Sequence, residues 1–333
     1  MQRRRVGLLG ASTPVAIEAM GALSIHPMIE LVAVADDLLA GQRVTDVYPG
    51  MAVNLRLSII EASALKDQSF DLVIAALPLA ESIELLPKLL KDQPELRLAD
   101  TSPLFRPAEK EMFHRLYNVR HPAPELLPTF TYGWTQGRAG ELVNAQRAAL
   151  PGAFASAVVA ALEPLARGQL LHGKVQVSTT VASSEYPGEG EGSMRARAVL
   201  DEPQVMESTL WLGGEDAPFE LLPAVTCAGF ERGMYATVFV PMGDKLALGS
   251  LNALYRERYD NALFVRLLER PPELKDVLGS NRIHLYLRVA GDTLCAVVAL
   301  DNVSRRAMSA IACANLMLGL PEEAGLMFPG RSW

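Results

Sequence analysis

The chain has 333 residues, half of them apolar and 21% charged, which is material for about two cores of ordinary size and excludes a peptide ligand, a bare linker and intrinsic disorder. Its 31 Lys and Arg against 38 Asp and Glu give a formal charge of −7, and no basic cluster follows the N-terminus, which argues against a nucleic-acid binder. Cys227, Cys295 and Cys313 stand far apart without CxxC spacing, and no apolar run nears the ~20 residues of a bilayer span, so no disulfide scaffold, metal site or membrane segment is expected and the setting is read as reducing and cytoplasmic.

In chain order, Arg5 to Leu9 reads as a short buried strand, Gly10 to Pro14 as a tight turn, Val15 to Leu23 as a helix and Glu30 to Ala35 as a second strand. The basic start Met1 to Arg5 before an apolar run has the look of a secretory leader. Pro14, Glu18 and the helical pattern through Leu23 oppose that reading. The βαβ pattern predicts a parallel sheet with right-handed crossovers. Asp71 to Pro78 is another apolar run ending in a breaker, with a helix from about Leu79 to Leu90, and Arg97 to Asp100 is a short strand that leaves Asp100, Thr101 and Ser102 at its carboxyl end. Pro103 to Gln136 reads as loop-rich, and Ala155 to Leu165 as an Ala-rich helix. From Gly173 the period changes to two, in Lys174 to Val181, Met234 to Pro241 and Ile283 to Val289, which predicts an antiparallel or mixed sheet. A Gly- and Glu-rich loop, Tyr186 to Gly192, precedes Arg195 and Arg197, and a last helix runs from about Ser304 to Leu318.

The turn Gly10-Ala11-Ser12-Thr13-Pro14-Val15-Ala16 lies between strand and helix, where backbone N–H groups and the helix dipole can hold a pyrophosphate. Only Gly10 is glycine and Pro14 removes a donor, so an ordinary βα turn is an equal reading. Asp36 or Asp37, at the second strand's end, suits a ribose hydroxyl of NAD and repels a 2′-phosphate, although paired acids are also a plain surface feature. His121, His172 and His284 have no partner spacing and read as surface or hydrogen-bonded histidines.

The segments Leu278 to Arg282, Ala299 to Val303 and Asn315 to Leu326 resemble the C-terminal part of the N-acetyl-γ-glutamyl-phosphate reductases, in the aspartate-semialdehyde dehydrogenase superfamily with the carrier-protein-linked aminoadipyl-phosphate reductases. The likeness extends over Ala40 to Val44, Ala76-Leu77-Pro78, Tyr132-Gly133, Pro151-Gly152 and Arg232-Gly233-Met234. It implies an α/β chain with a doubly wound parallel-sheet (Rossmann-type) NAD(P)-binding domain over 1–149 plus the C-terminal helix 303–333, and an α+β mixed-sheet substrate and dimerisation domain over 150–302. It further implies reduction of an acyl phosphate to a semialdehyde with NADPH through a cysteine thioester, and a homo-oligomer, dimer or tetramer.

By that resemblance Gly10, Ser12, Thr13, Asp36, Leu77, Pro78 and Asn302 would meet a cofactor, NAD or NADP, and Ser156, Arg195 and Arg232 an anionic substrate. Yet the family's Asn-Pro-Gly-Cys-Tyr segment reads Leu150-Pro151-Gly152-Ala153-Phe154, so Ala153 stands at the nucleophile. The stretch that resemblance assigns to the family's acid-base histidine reads Leu221-Leu222-Pro223-Ala224-Val225, and the usual Ser-Arg of the second turn is Asp36-Asp37. The family's glycines are absent at Thr13 and Ala16, and Arg306 replaces another. Cys227 is the one thiol near the lost histidine, and a small buried cysteine is its commoner role. The expectation is a family member that has lost the thioester route, a binding or regulatory subunit or the partner of an active paralogue. An active NAD(P)-dependent semialdehyde dehydrogenase with a non-standard mechanism is the alternative, and a ligand-free interaction protein the third reading.

Overall fold

A computed structural model describes residues 2–51, 55–186, 192–214, 216–243 and 248–330. Most of the Gly- and Glu-rich loop, 187–191, lies outside them. The chain divides into two compact units, 1–152 with 306–327, and 153–305 with 328–333.

The first unit contains β1 (Arg4–Leu9), α1 (Pro14–Ser24), β2 (Ile29–Ala35), α2 (Val44–Val47), β3 (Ile59–Ile60), β4 (Leu72–Ala75), α3 (Leu79–Asp92), β5 (Leu98–Asp100), α4 (Lys110–Tyr117), β6 (Phe130–Tyr132), α5 (Thr135–Leu142) and β7 (Arg147–Ala149). Its sheet runs β3-β2-β1-β4-β5-β7-β6 with every pairing parallel. Val6, Leu8 and Leu9 of β1 and all of β4 are buried, as a parallel sheet covered on both faces requires. The strand order reverses between β1 and β4, so Gly10 and Ala76 sit at the carboxyl ends that flank the switch point. The supposed loop region 103–136 instead carries α4, β6 and the start of α5. Its strand is three residues long, too short to show a period.

The second unit contains α6 (Ala153–Arg167), β8 (Gly173–Ala182), β9 (Met194–Val199), α7 (Pro203–Gly213), β10 (Phe219–Ala228), β11 (Met234–Pro241), α8 (Leu248–Tyr259), β12 (Val265–Leu268), β13 (Ile283–Ala290) and β14 (Thr293–Leu300). α9 (Asn302–Met317) begins in this unit and continues in the first. The sheet order is β12-β13-β14-β11-β8-β10-β9. It is mixed: β8 with β10 and β12 with β13 are parallel, and the other pairs antiparallel. Period-two alternation buries Val175, Val177, Ala236, Val238, Leu294, Ala296, Val298, Leu285 and Leu287. α6 packs against β11, β13 and β14. The opposite side presents Tyr235, Thr237 and Phe239 of β11 beside Cys295 and Val297 of β14, with Phe239 39% exposed.

Candidate functional site

In the first unit the turn after β1 forms because Gly10 adopts φ +101°, and a Cβ there would lie 2.6 Å from Ala76 O. Thr13 caps α1: Ala16 N–H donates to Thr13 Oγ1 at 3.1 Å, and Thr13 Oγ1 is 2.7 Å from Ala76 O. Thr13 N–H donates to Gly10 O at 3.1 Å, and Pro14 has no N–H. Ser12 N–H donates to Asp36 Oδ2 at 2.8 Å, while Leu38 N–H donates to Asp36 Oδ1 at 2.9 Å. Asp36 is only 4% exposed. Its carboxylate therefore takes up one amide of the first turn, that of Ser12, and one of the turn after β2, that of Leu38.

Asp37 is engaged as well, accepting from Ala62 N–H at 2.8 Å. A cavity of about 210 Å³ opens beside the turn, with Leu9, Leu77 and Leu85 as its apolar wall and Asp36, Asp37, Glu81 and Glu84 as its polar one. Burial, then Asp36, Asp37 and Glu84, raise the Glu81 carboxyl above its usual range. Among the described residues no lysine or arginine lines this cavity, but an adjoining one of about 380 Å³ shares Leu9, Asp37, Ala62 and Leu85 with it and adds Lys66 and Lys88, so cations stand a short way from the two acids. Pro78, the N-cap of α3, directs its carbonyl to Ser82 rather than outward.

At the end of β5, Asp100 is fully buried and accepts from Ser102 Oγ at 2.7 Å and Ser102 N–H at 2.9 Å. Burial raises this carboxyl to about 6 against the opposing pull of the Ser102 bonds and of Arg106 and Arg306. Arg106 Nη2 donates to Thr101 O at 2.7 Å.

In the second unit Ala153 is the first residue of α6 and fully buried, with Ser156 also buried one turn on. A methyl group supplies neither nucleophile nor proton. Asn302 is saturated: Oδ1 accepts from Gly233 N–H at 2.8 Å, and Nδ2 donates to Ser184 Oγ at 3.1 Å and Glu185 Oε2 at 3.0 Å. Rather than offering its amide to a nicotinamide, it ties the start of α9 to the loops before β11 and after β8. Arg232 lies in an internal ion pair, with Nη2 3.2 Å from Asp301 Oδ1 and 2.8 Å from Ser304 Oγ. Arg195 is exposed on β9, paired in register with Cys227 of β10.

Sequence reasoning missed a cluster around Tyr186. The Tyr186 hydroxyl donates to Glu202 Oε2 at 3.4 Å, the Arg197 guanidinium lies 4.8 Å above its ring, and Phe154 packs at 6.3 Å. Burial, with Glu185 adding to it, pushes the Glu202 carboxyl up to about 7, against the Gln204 N–H and Tyr186 bonds and Arg197. The signal present in the sequence was an acid before Pro203 at the start of an apolar helix, a capping position. Cys227 is fully buried, as a small core sulfur rather than an accessible thiolate. His121 Nε2 pairs with Leu104 O at 3.0 Å and His172 Nε2 with Gln169 O at 2.9 Å. His284 departs from the expectation. It is buried, and neither ring nitrogen has a hydrogen-bond partner among the described residues.

The parallel sheet with its switch point, joined in one chain to a mixed sheet, is the two-domain architecture of the semialdehyde dehydrogenase fold. Residues 5–145 match the semialdehyde dehydrogenase NAD binding domain and residues 153–302 the semialdehyde dehydrogenase dimerisation domain. The chain belongs to the semialdehyde dehydrogenase family. It is 29% identical to an N-acetyl-γ-glutamyl-phosphate reductase of Acetivibrio thermocellus, over 98% of both chains, and 28% identical to one of Acidithiobacillus ferrooxidans, over 97% of this chain and 98% of that protein. The fold is that of aspartate semialdehyde dehydrogenase II complexed with ASA from Vibrio cholerae, with TM-score 0.70, 13% identity, and 96% of this chain and 99% of that one covered. The aspartate semialdehyde dehydrogenase with NADP from Candida albicans matches with TM-score 0.70 and 13% identity, over 97% and 99%. Among the described residues no helix is long and apolar enough to cross a membrane, and no group of three His, Cys, Asp or Glu is placed to hold a metal ion.

Proposed function

We propose that this chain is a homologue of N-acetyl-γ-glutamyl-phosphate reductase that does not perform the thioester reduction and works in the cytoplasm as a binding or regulatory subunit. The observation that carries this reading is Ala153, buried at the head of α6 at the position that resemblance gives to the nucleophile. Supporting it, the amides of the first turn are engaged by Asp36 and Thr13, and the Asn302 amide is engaged by its own unit. Affinity for a nicotinamide dinucleotide is weak and favours NAD over NADP, because the groups beside the turn are carboxylates. Calorimetric titration of the full chain with NAD, NADH, NADP and NADPH, together with a reductase assay, tests this. Turnover of an acyl phosphate by the unaltered chain would end it.

The uncovered side of the second unit's sheet is the surface we assign to self-association, with Tyr235, Phe239 and Val297 at its middle. A homo-oligomer or a mixed oligomer with an active paralogue uses the same face. Light scattering is expected to give a mass above that of one 36.1 kDa chain. A second reading, an active semialdehyde dehydrogenase of non-standard mechanism, rests on the buried pair of Tyr186 and Glu202. It requires reverse-direction activity with semialdehyde, phosphate and either cofactor.

A further inference from the structure

We propose that the edge of the second unit's sheet carries an anion site that binds a small phosphate-bearing molecule, in a cavity of about 320 Å³ beside β12. Three arginines reach its wall from three elements: Arg256 from the last turn of α8, Arg266 from β12 and Arg282 from the residue before β13. Against them stands one carboxylate, Asp260. The chain as a whole carries −7, so the local sign is the reverse of the global one. Among the described residues none of the three guanidiniums donates a hydrogen bond or makes an ion pair, whereas Arg258 pairs with Glu163 at 2.8 Å and Arg305 binds Asn281.

A second observation points the same way. His284, just outside the lining of the cavity, is register partner to Arg266 across β12 and β13, so these two project from one side of the sheet, and Arg282 lies two residues before His284. The imidazole is 6% exposed, and among the described residues both ring nitrogens lack a partner. Burial first, then Arg266, keep it below the usual histidine range, with Asp276 opposing and Arg282 adding. A buried polar ring without a partner beside two unpaired guanidiniums is a costly arrangement until an acceptor arrives.

Phosphate is the chemistry that answers these donors. Guanidinium forks bind its oxygens in pairs, and a dianion offsets the mutual repulsion of the arginines. The cavity exceeds what orthophosphate fills and falls in the range of about 300–1,000 Å³ typical of small-molecule sites. Its remaining wall is apolar, with Leu263 46% exposed beside Phe264, which suits the organic part of a phosphorylated metabolite. Ala153, Arg195, Arg232 and Asn302 do not line it, so the site is separate from any acyl-phosphate chemistry.

The test is calorimetric titration of the full chain with inorganic phosphate, pyrophosphate and citrate. Saturable binding of pyrophosphate or phosphate, at one site per chain, is expected. Arg266→Ser with Arg282→Ser is expected to weaken it by about tenfold or more. The exposed Arg256→Ser serves in its place if the double variant loses its melting transition. The His284 ring resonances, assigned with His284→Gln, are expected to move on pyrophosphate addition. No saturation with phosphate or pyrophosphate, binding unchanged in the arginine variants, or citrate bound as tightly as pyrophosphate would each overturn the proposal.

Discussion

The turn after β1 and the cavity beside β12 have opposite relations to anions. In the first, Ser12 and Leu38 N–H groups are held by the chain's own Asp36 and the surrounding wall is acidic. In the second, the three lining guanidiniums have no internal acceptor among the described residues, and neither does the neighbouring His284 ring, which lies outside the lining. The dinucleotide-type fold is therefore intact at a place where the bonding capacity is already used, while unused capacity lies at a sheet edge. Fold identifies ancestry; function follows the groups left unsatisfied.

The largest expected effect concerns chemistry. Ala153→Cys restores a thiol, yet reductase activity is expected to stay far below that of an intact family enzyme, since removing a covalent nucleophile costs on the order of 10⁶ in rate and acid-base partners act with it as a unit. Robust turnover by this single variant in a coupled NADPH assay would show that the first turn still functions as a cofactor site, and the comparison would collapse. Next in size is Gly10→Ala. With φ +101° and a Cβ 2.6 Å from Ala76 O, it is expected to destabilise the chain by about 3 kcal/mol, read by denaturant unfolding. A change within a few tenths of a kcal/mol would mean that the turn is looser than its hydrogen bonds imply.

Much of the architecture was legible in the sequence because burial writes periods. β1, β4 and α1 announced themselves as apolar runs and a helical pattern, and β8, β11 and β13 as alternation. The short strands β3, β5, β6 and β7 carry two or three residues each, below what alternation can reveal, and of these only β5 was legible, from its place before Asp100. At the site the sequence exposed what is missing, Ala153 above all, since an absent thiol needs no geometry to be seen. It did not expose bonding. That Asp36 is held by Ser12 N–H, that Asn302 is saturated and that Tyr186 lies against Glu202 are facts of long-range contact. The unpaired arginines beside β12 were hidden for the same reason: 256, 266 and 282 converge only through the β12–β13 pairing and the placement of α8.

A smaller effect comes from Glu202, which is 5% exposed. Its carboxyl has a folded value of about 7 against an ordinary 4.5, so the native state holds the proton more tightly than the unfolded chain. Its contribution to stability is fully present below about 4.5 and is lost as pH rises through about 7. Glu202→Gln keeps an oxygen for the Gln204 N–H and removes the charge. At about 1.4 kcal/mol per unit, reduced for partial relaxation, the variant is expected to be about 2 kcal/mol more stable than the parent at pH 8 and nearly equal to it at pH 4.5. Melting curves of both chains across that range check the sign. A parent–variant difference that does not change with pH would mean that folding leaves the proton affinity of Glu202 unchanged.

The smallest expected effect returns to the first turn. Asp36→Ser with Asp37→Arg removes the internal anion and supplies the Ser-Arg pair that the family resemblance implies for this turn. The Ser12 N–H loses its carboxylate acceptor, at a cost in stability of about 1 kcal/mol, and becomes able to meet an external phosphate. NADP affinity is expected to rise by about tenfold, with little change for NAD, because only NADP carries the 2′-phosphate that the new arginine can pair with. Titration of parent and variant with both nucleotides reads this directly. If the variant binds neither more tightly, the closure of the turn rests on Thr13, Pro14 and Ala16 rather than on Asp36, and the acid is a consequence of a turn already closed. If NADP alone gains, the gain belongs to Asp37→Arg and its 2′-phosphate; if NAD gains as well, the Asp36 carboxylate is what closes the site, and the two regions differ by one anion, supplied by the chain beside β1 and awaited from outside beside β12.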